Sequence, residues 1–367
     1  MQNCTARAIF GCAATLLTMT IATATEPEIV RLENVPDVNA ISAEEPVRKS
    51  FSAKQAAYYL DTASLNWQKN RKCVTCHTNM AYLIVRPALD STLKNSGEVR
   101  EFFESYYLSR WKAGKRLPPT GAYEPVVVST ALAFNDIQTT GKLSRVTRNT
   151  FDVMWSTQRD DGGWDWAKCG WAPMEIDDHY GATLAALAVG IAPENYAKTD
   201  TAKAGLQKIR EYLRNNPSRS LHHRIMITWA AVRVDDLMSS QMQADVLEQV
   251  LNKQLPDGGW STPALLSDWK EFVRKDGKEH DINHSDAYAT GLAIVLAREL
   301  GIPATDDRLK NGITWLKANQ RESGKWFTRS PSKDSRHYFT NFGSAFAILA
   351  LQACGELPGW PFSKAPQ

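Results

Sequence analysis

Two seven-residue stretches constrain this chain more than any other feature. Gln158-Arg-Asp-Asp161-Gly162-Gly163-Trp164 returns as Gln254-Leu-Pro-Asp257-Gly258-Gly259-Trp260, and a weaker third copy reads Gln320-Arg-Glu-Ser323-Gly324-Lys325-Trp326. Each copy follows an amphipathic run and precedes a second block: Asp178-His-Tyr180, then Asp286-Ala-Tyr288, then Asn341-Phe342. The order is fixed but the gap is not. From the Trp to the second block it is 14, 26 and 15 residues, so the middle copy carries an insertion, placed in the charged stretch Ser267–Asp281. Units repeated in fixed order stack on one another and share a core. The physical expectation is that the Gly pair supplies positive φ to stop a helix and the Asp favours the turn. The Gln amide bonds terminal carbonyls, the Trp plugs the gap to the next unit, and the Asp or Asn of the second block caps a crowded inner helix.

The remaining periodicity is helical. The runs Gln55–Asn70, Met80–Leu93, Val99–Ala113, Pro125–Ile137, Ser144–Gln158 and Asp178–Ile191 carry apolar residues at helix spacing. So do Ala202–Asn215, Arg224–Asp236, Met242–Gln254, Ala287–Leu300, Asp307–Gln320 and Phe342–Cys354, and no convincing alternating strand is present. Twelve helices of similar length predict an all-α chain of about six antiparallel pairs.

At this point the chain resembles a family. Q-x-x-D-G-G-W is similar to the repeat of squalene–hopene cyclases and related triterpene cyclases, whose fold the prenyltransferase β subunits share. The resemblance covers residues 55–354 and implies an α/α toroid, an inner ring of helices inside an outer ring, over residues 51–358. Full cyclases have two domains, and this chain has room for one toroid. The resemblance speaks to architecture before activity.

The start of the chain points to export. Arg7 is followed by a short apolar run and Ala22-Thr23-Ala24, a cleavage triplet, so residues 1–24 read as a signal peptide. Residues 25–50 hold three prolines among acidic residues and no aromatic, and read as a flexible leader. No transmembrane segment is expected, and the predicted location is periplasmic or secreted. With 43 basic against 40 acidic residues, no nucleic-acid partner is expected.

Two constellations carry chemistry. The first is Cys73-Val-Thr-Cys76-His77. Cys-x-x-Cys-His is the attachment sequence of haem c: two thiols meet the vinyl groups and the adjacent imidazole binds the iron. Haem c is attached outside the bacterial cytoplasm, which agrees with export. A zinc half-site and a disulfide are the alternatives. The motif follows the helical run ending near Asn70, so it replaces the first unit's Asp-Gly-Gly-Trp turn. Met174, His179, His222, His223 and His284 are candidate second axial ligands.

The second is Glu175-Ile-Asp177-Asp178. Its place after Gly-Gly-Trp is similar to the Asp-x-Asp-Asp segment of the proton-initiated cyclases. That resemblance implies Asp177 as the acid that protonates an alkene, with Glu175 and Asp178 supporting it, acting on an apolar isoprenoid-like ligand in a central cavity walled by aromatics such as Trp166, Trp171 and Trp269. The plain alternative is that these acids cap a helix. His280, Asp281, His284 and Asp286 form a further cluster with partial metal-ligand spacing, and a Cys169–Cys354 disulfide is left open. Three functions follow: an isoprenoid-cyclase-like enzyme, a haem redox protein with a redox partner, or a ligand-binding scaffold.

Overall fold

The computed structural model describes residues 29–38, 40–111, 121–334 and 337–360. The expected signal peptide lies outside the described residues. Within them the chain is all-α, with thirteen α-helices and no strand, only three isolated bridges. The helices are α1 (Ala53–Arg71), α2 (Ala81–Val85), α3 (Glu98–Arg110), α4 (Glu124–Thr139), α5 (Arg145–Ser156), α6 (Asp178–Ile191) and α7 (Asp200–Asn215). They continue as α8 (Leu221–Ala231), α9 (Ser240–Leu251), α10 (Thr262–Leu265), α11 (Ala287–Glu299), α12 (Asp307–Ala318) and α13 (Phe339–Ala353). A π-helical turn, Cys76–Met80, leads into α2, and a 3₁₀ turn, Arg86–Leu89, leaves it. The expected helix Met80–Leu93 is therefore three short pieces beginning at the Cys-x-x-Cys-His motif. No described helix is long and apolar enough to cross a membrane.

The helices fall into two kinds. α5, α7, α9 and α12 bury one face; α7, for example, buries Ala202, Gly205, Leu206, Ile209 and Tyr212. α6, α11 and α13 are apolar nearly all round, and every residue of α13 is buried. The buried helices contact one another in a closed order: α2 with α4, α4 with α6, α6 with α8, α8 with α11, α11 with α13, and α13 with α2. The amphipathic helices lie on them, α1 on α2 and α13, α3 and α5 on α4, α7 on α6, α9 on α8 and α11, and α12 on α11 and α13.

The repeat turns join successive amphipathic helices. Gln158 Nε2 donates to Gly162 O in its own turn at 3.0 Å and to Gly205 O in α7 at 3.1 Å. Gln254 makes the same pair of bonds to Gly258 O and Arg308 O, at the start of α12. Gln320 bonds Gly324 O and Ser52 O, each at 3.0 Å, and accepts from Ser52 N at 2.7 Å. Each glutamine thus ties its turn to another helix, and the third ties the turn after α12 to the cap of α1. Trp164, Trp260 and Trp326 are buried and donate back to carbonyls of the helix before them, Met154, Val250 and Leu316.

The two glycines of the pair differ, contrary to the expectation. Only the first has positive φ, +93° at Gly162 and +92° at Gly258, as does Gly324 at +99°. A Cβ on Gly324 would sit 2.0 Å from Gln55 O, so the position needs glycine for space as well as for φ. Gly163 instead lets Tyr212 and Arg159 approach.

Three further expectations change. The described part of the leader is packed: Val30 and Val35 are buried, Arg48 N donates to Gln320 O, and Glu45 pairs with Lys325. Asp177, not Asp178, is the N-cap of α6. Asn341 caps nothing. It lies inside α13, where it accepts from Tyr59 OH at 2.5 Å and donates to Thr78 Oγ1 at 2.9 Å. The middle insertion also has a task. Leu266, Trp269 and Phe272 form a small apolar cluster with Ala172, and Ile176 packs against it. Arg274 Nη1 donates to Ser330 O, and Lys275 Nζ to Cys169 O. The insertion thereby braces two loops, 167–176 and 329–334, that border the site described next.

Candidate functional site

The first candidate motif lies where the other units have their repeat turn. α1 ends at Lys72 in the left-handed conformation (φ 51°), its N–H bonded to Gln68 O. Thr75 is extended, and the π turn then begins at Cys76. Asn79 staples this loop, accepting from Thr75 N at 2.9 Å and donating to Cys73 O at 3.2 Å.

A cavity of about 250 Å³ opens here, at the N-terminal ends of the π turn, α4, α6 and α13. Cys73, Cys76, His77, Cys169, Met174 and Glu175 line it, and Trp67, Tyr123, Trp171 and Tyr338 wall it. The structure therefore brings the whole Cys-x-x-Cys-His motif and Glu175 together, and adds Cys169. Sequence reasoning had set Cys169 against Cys354. Both are free thiols, and Cys354 caps the C-terminal end of α13, whose N-terminal end borders the cavity.

His77 is held from two sides. Its ring stacks on Tyr338 (centroids 5.5 Å apart, planes 5° apart) and meets Trp67 edge-on at 4.8 Å. Nδ1 lies 2.7 Å from Thr78 Oγ1, which accepts from Asn341, which accepts from Tyr59. In the tautomer that donates from Nδ1, the Nε2 lone pair is free to ligate, the arrangement typical of metal-binding histidines. Burial lowers the His77 pKa to about 4, so the ring is neutral at ordinary pH.

Glu175 reaches the cavity through a short hairpin. Gly170 N donates to Glu175 O, and Glu175 N to Trp171 O, each at 2.9 Å. Its carboxyl accepts from Cys76 Sγ at 3.3 Å, and the Cys169 thiol also lies against it. Burial raises the Glu175 carboxyl above its usual range, and burial with the neighbouring Glu175 raises the Cys76 thiol far above its own.

Asp177 and Asp178 face elsewhere. They border a groove with His179, Tyr212, Pro217 and Arg219 on the other side of the hairpin. Asp177 Oδ1 accepts from Tyr180 N at 3.2 Å, and Oδ2 lies 3.3 Å from His223 Nε2. Burial pushes its pKa up, but the His223 hydrogen bond and charge and the cap N–H outweigh it and hold the carboxyl below its ordinary range. A carboxyl so held is deprotonated at ordinary pH and has no proton to give an alkene. Asp178 pairs with Arg159 at 2.8 Å and Lys168 at 3.0 Å and accepts from Trp166 N at 3.2 Å.

The space between the buried helices is filled by rings. Phe134, Trp229, Phe346 and Tyr288 follow one another with centroids 4.9–6.0 Å apart, and Tyr288 OH lies 2.7 Å from His222 Nε2. His222, His223 and His179 belong to this interior, with His179 and His223 rings 4.5 Å apart, and none lines the cavity. Of the candidate second ligands only Met174 does. His284 is exposed and pairs with Asp281 at 2.6 Å. Among the described residues no group of three or more His, Cys, Asp or Glu side chains is placed to hold a metal ion.

No family model and no curated relative matches the chain.

Proposed function

We propose that the protein is an exported, single α/α toroid that carries haem c at one mouth of the ring and works in electron transfer. Cys73 and Cys76 would hold the haem covalently and His77 would ligate its iron. The observation that carries this reading is the convergence of both thiols and the imidazole on one aromatic-walled cavity, with His77 Nδ1 2.7 Å from Thr78 Oγ1. The closed order of helix contacts and the Gln320 tie to α1 support the toroid. Without a group of three ligands among the described residues, a zinc site has less support.

When bound, the haem would supply one-electron chemistry. The chain's own residues do the rest. The Tyr59–Asn341–Thr78 series positions the imidazole through its Nδ1. Trp67 and Tyr338 exclude water from its faces. Met174 places a thioether in the same cavity and would be available as a further ligand to the iron. A small redox protein outside the cytoplasm is the expected partner, and an apolar ligand in this cavity is the secondary reading. Cyclase chemistry through Asp177 has little support, because that carboxyl is ionised and lies outside the cavity.

The test is expression with haem-attachment machinery, followed by a haem stain of a denaturing gel and a reduced-minus-oxidised spectrum. Covalent haem is expected in the wild type and is lost in Cys73→Ser/Cys76→Ser. Absence of covalent haem in a competent host overturns the reading.

A further inference from the structure

A Cys-x-x-Cys-His motif needs two thiols, yet three line this cavity. The third, Cys169, comes from a part of the chain far from the motif. Its position is built, not incidental. The hairpin that follows it is closed by Gly170 N and Glu175 N, its own carbonyl accepts from Lys275 Nζ at 3.1 Å, and the Gly170 carbonyl accepts from Ser332 Oγ at 2.9 Å. Those bonds hold Cys169 beside Glu175, and Glu175 in turn holds the Cys76 sulfur at 3.3 Å. Both thiols therefore hydrogen-bond to one carboxyl and line the same cavity. They also differ in access: Cys76 is buried, whereas Cys169 is exposed.

We propose that Cys169 is the redox partner of Cys76, and that in the haem-free chain these two close a disulfide that withholds Cys76 from haem attachment. The withholding rests on the haem reading; the disulfide does not. With a small disulfide such as oxidised glutathione as oxidant, the exposed Cys169 thiolate attacks one glutathione sulfur, forms a mixed disulfide and releases one glutathione thiolate. The Cys76 sulfur then attacks the Cys169 sulfur and releases the second. The sum is two protein thiols and one glutathione disulfide giving one protein disulfide and two glutathione thiols, so electrons and protons balance. Exposure makes Cys169 the point of entry, and proximity through Glu175 makes Cys76 the resolving group. Cys73 lies against Trp67, whereas Cys76 bonds Glu175.

The experiment uses the full chain made without haem-attachment machinery, purified reduced, then incubated with excess oxidised glutathione. Free thiols are blocked, and a non-reducing digest is mapped by mass spectrometry. A Cys76–Cys169 linkage is expected as the main product. In Cys169→Ser that linkage is absent, and the yield of covalent haem on later exposure of oxidised chains to the attachment machinery rises several-fold over oxidised wild type. A Cys73–Cys76 linkage as the main product, or glutathione retained on Cys169 with no internal disulfide, overturns the proposal. A chain that forms Cys76–Cys169 but never takes haem refutes the haem reading and the withholding, and leaves the disulfide standing. A chain that takes haem without forming the linkage refutes the disulfide and with it the withholding, and leaves the haem reading standing.

Discussion

Replacing Gln320 by Met tests the idea that the third repeat turn closes the ring. Methionine keeps the length of the side chain and removes its polar end. Three hydrogen bonds are lost: Nε2 to Ser52 O, Nε2 to Gly324 O, and Ser52 N to Oε1. Gln320 is fully buried, and at about 1 kcal/mol net for each bond the loss is about 3 kcal/mol. Gln254→Met removes two bonds, to Gly258 O and Arg308 O, and is expected to cost about 2 kcal/mol. Equilibrium urea unfolding gives the totals, and amide hydrogen exchange gives the location. In Gln320→Met the first turn of α1 loses protection, because Ser52 is its cap. In Gln254→Met the loss falls at the start of α12. A Gln320→Met change below about 0.5 kcal/mol, or fraying at α12 instead of α1, refutes the reasoning, since either result means that the glutamine does not join the last turn to the first helix.

Two other substitutions probe the interior. Arg86 and Asp61 are an ion pair at 2.8 Å, both about 1% exposed, and Tyr82 OH also donates to Asp61. Arg86→Met leaves the Asp61 charge unpaired and is expected to cost about 3–5 kcal/mol in urea unfolding, with part recovered when Asp61→Leu is added. Asp286 is buried, and burial raises its pKa to about 6, despite bonds from Thr262 and Ala289. Because the folded state binds this proton more tightly than the unfolded state, at about 3.9, the contribution is complete below about pH 4 and is lost as pH rises through 6, about 3 kcal/mol in all. Asp286→Asn should remove that slope from a plot of unfolding free energy against pH; an unchanged slope between pH 4 and 6 refutes the assignment.

Much of the scaffold was legible because helix periodicity and turn chemistry are local. The run Asp178–Ile191 forms a helix with those bounds, and the repeats mark where amphipathic helices stop. The Gln158, Gln254 and Gln320 bonds were harder to read, since their second acceptors, Gly205, Arg308 and Ser52, lie up to 268 residues away. The leader misled for a similar reason: its proline-rich composition hides the docking of Val30, Val35 and Glu45 on other units. Of the candidate site, Cys73, Cys76 and His77 could be placed together from their spacing alone. Cys169 could not, because a hairpin braced by the insertion brings it there. A thiol six residues before Glu175, in a loop with three tryptophans, was the available signal.

The acidic motif shows how a helix start can imitate a catalytic cluster. In the second repeat one carboxylate does two tasks: Asp286 caps α11 through Ala289 N and accepts from Thr262 N, two residues past Trp260. In the first repeat the tasks are divided. Asp178 accepts from Trp166 N, two residues past Trp164, while Asp177 caps α6 through Tyr180 N. The division explains why two aspartates stand side by side without either facing the cavity. Each also has a basic side chain beside it, Arg159 at Asp178 and His223 at Asp177. Glu175, two residues before this pair, lies in the hairpin instead of the helix, and faces the thiols with its charge disfavoured by burial. A run of three acids in four residues therefore separates into two structural carboxylates and one that faces the cavity, and the backbone change from hairpin to helix at residues 176–178 is what separates them.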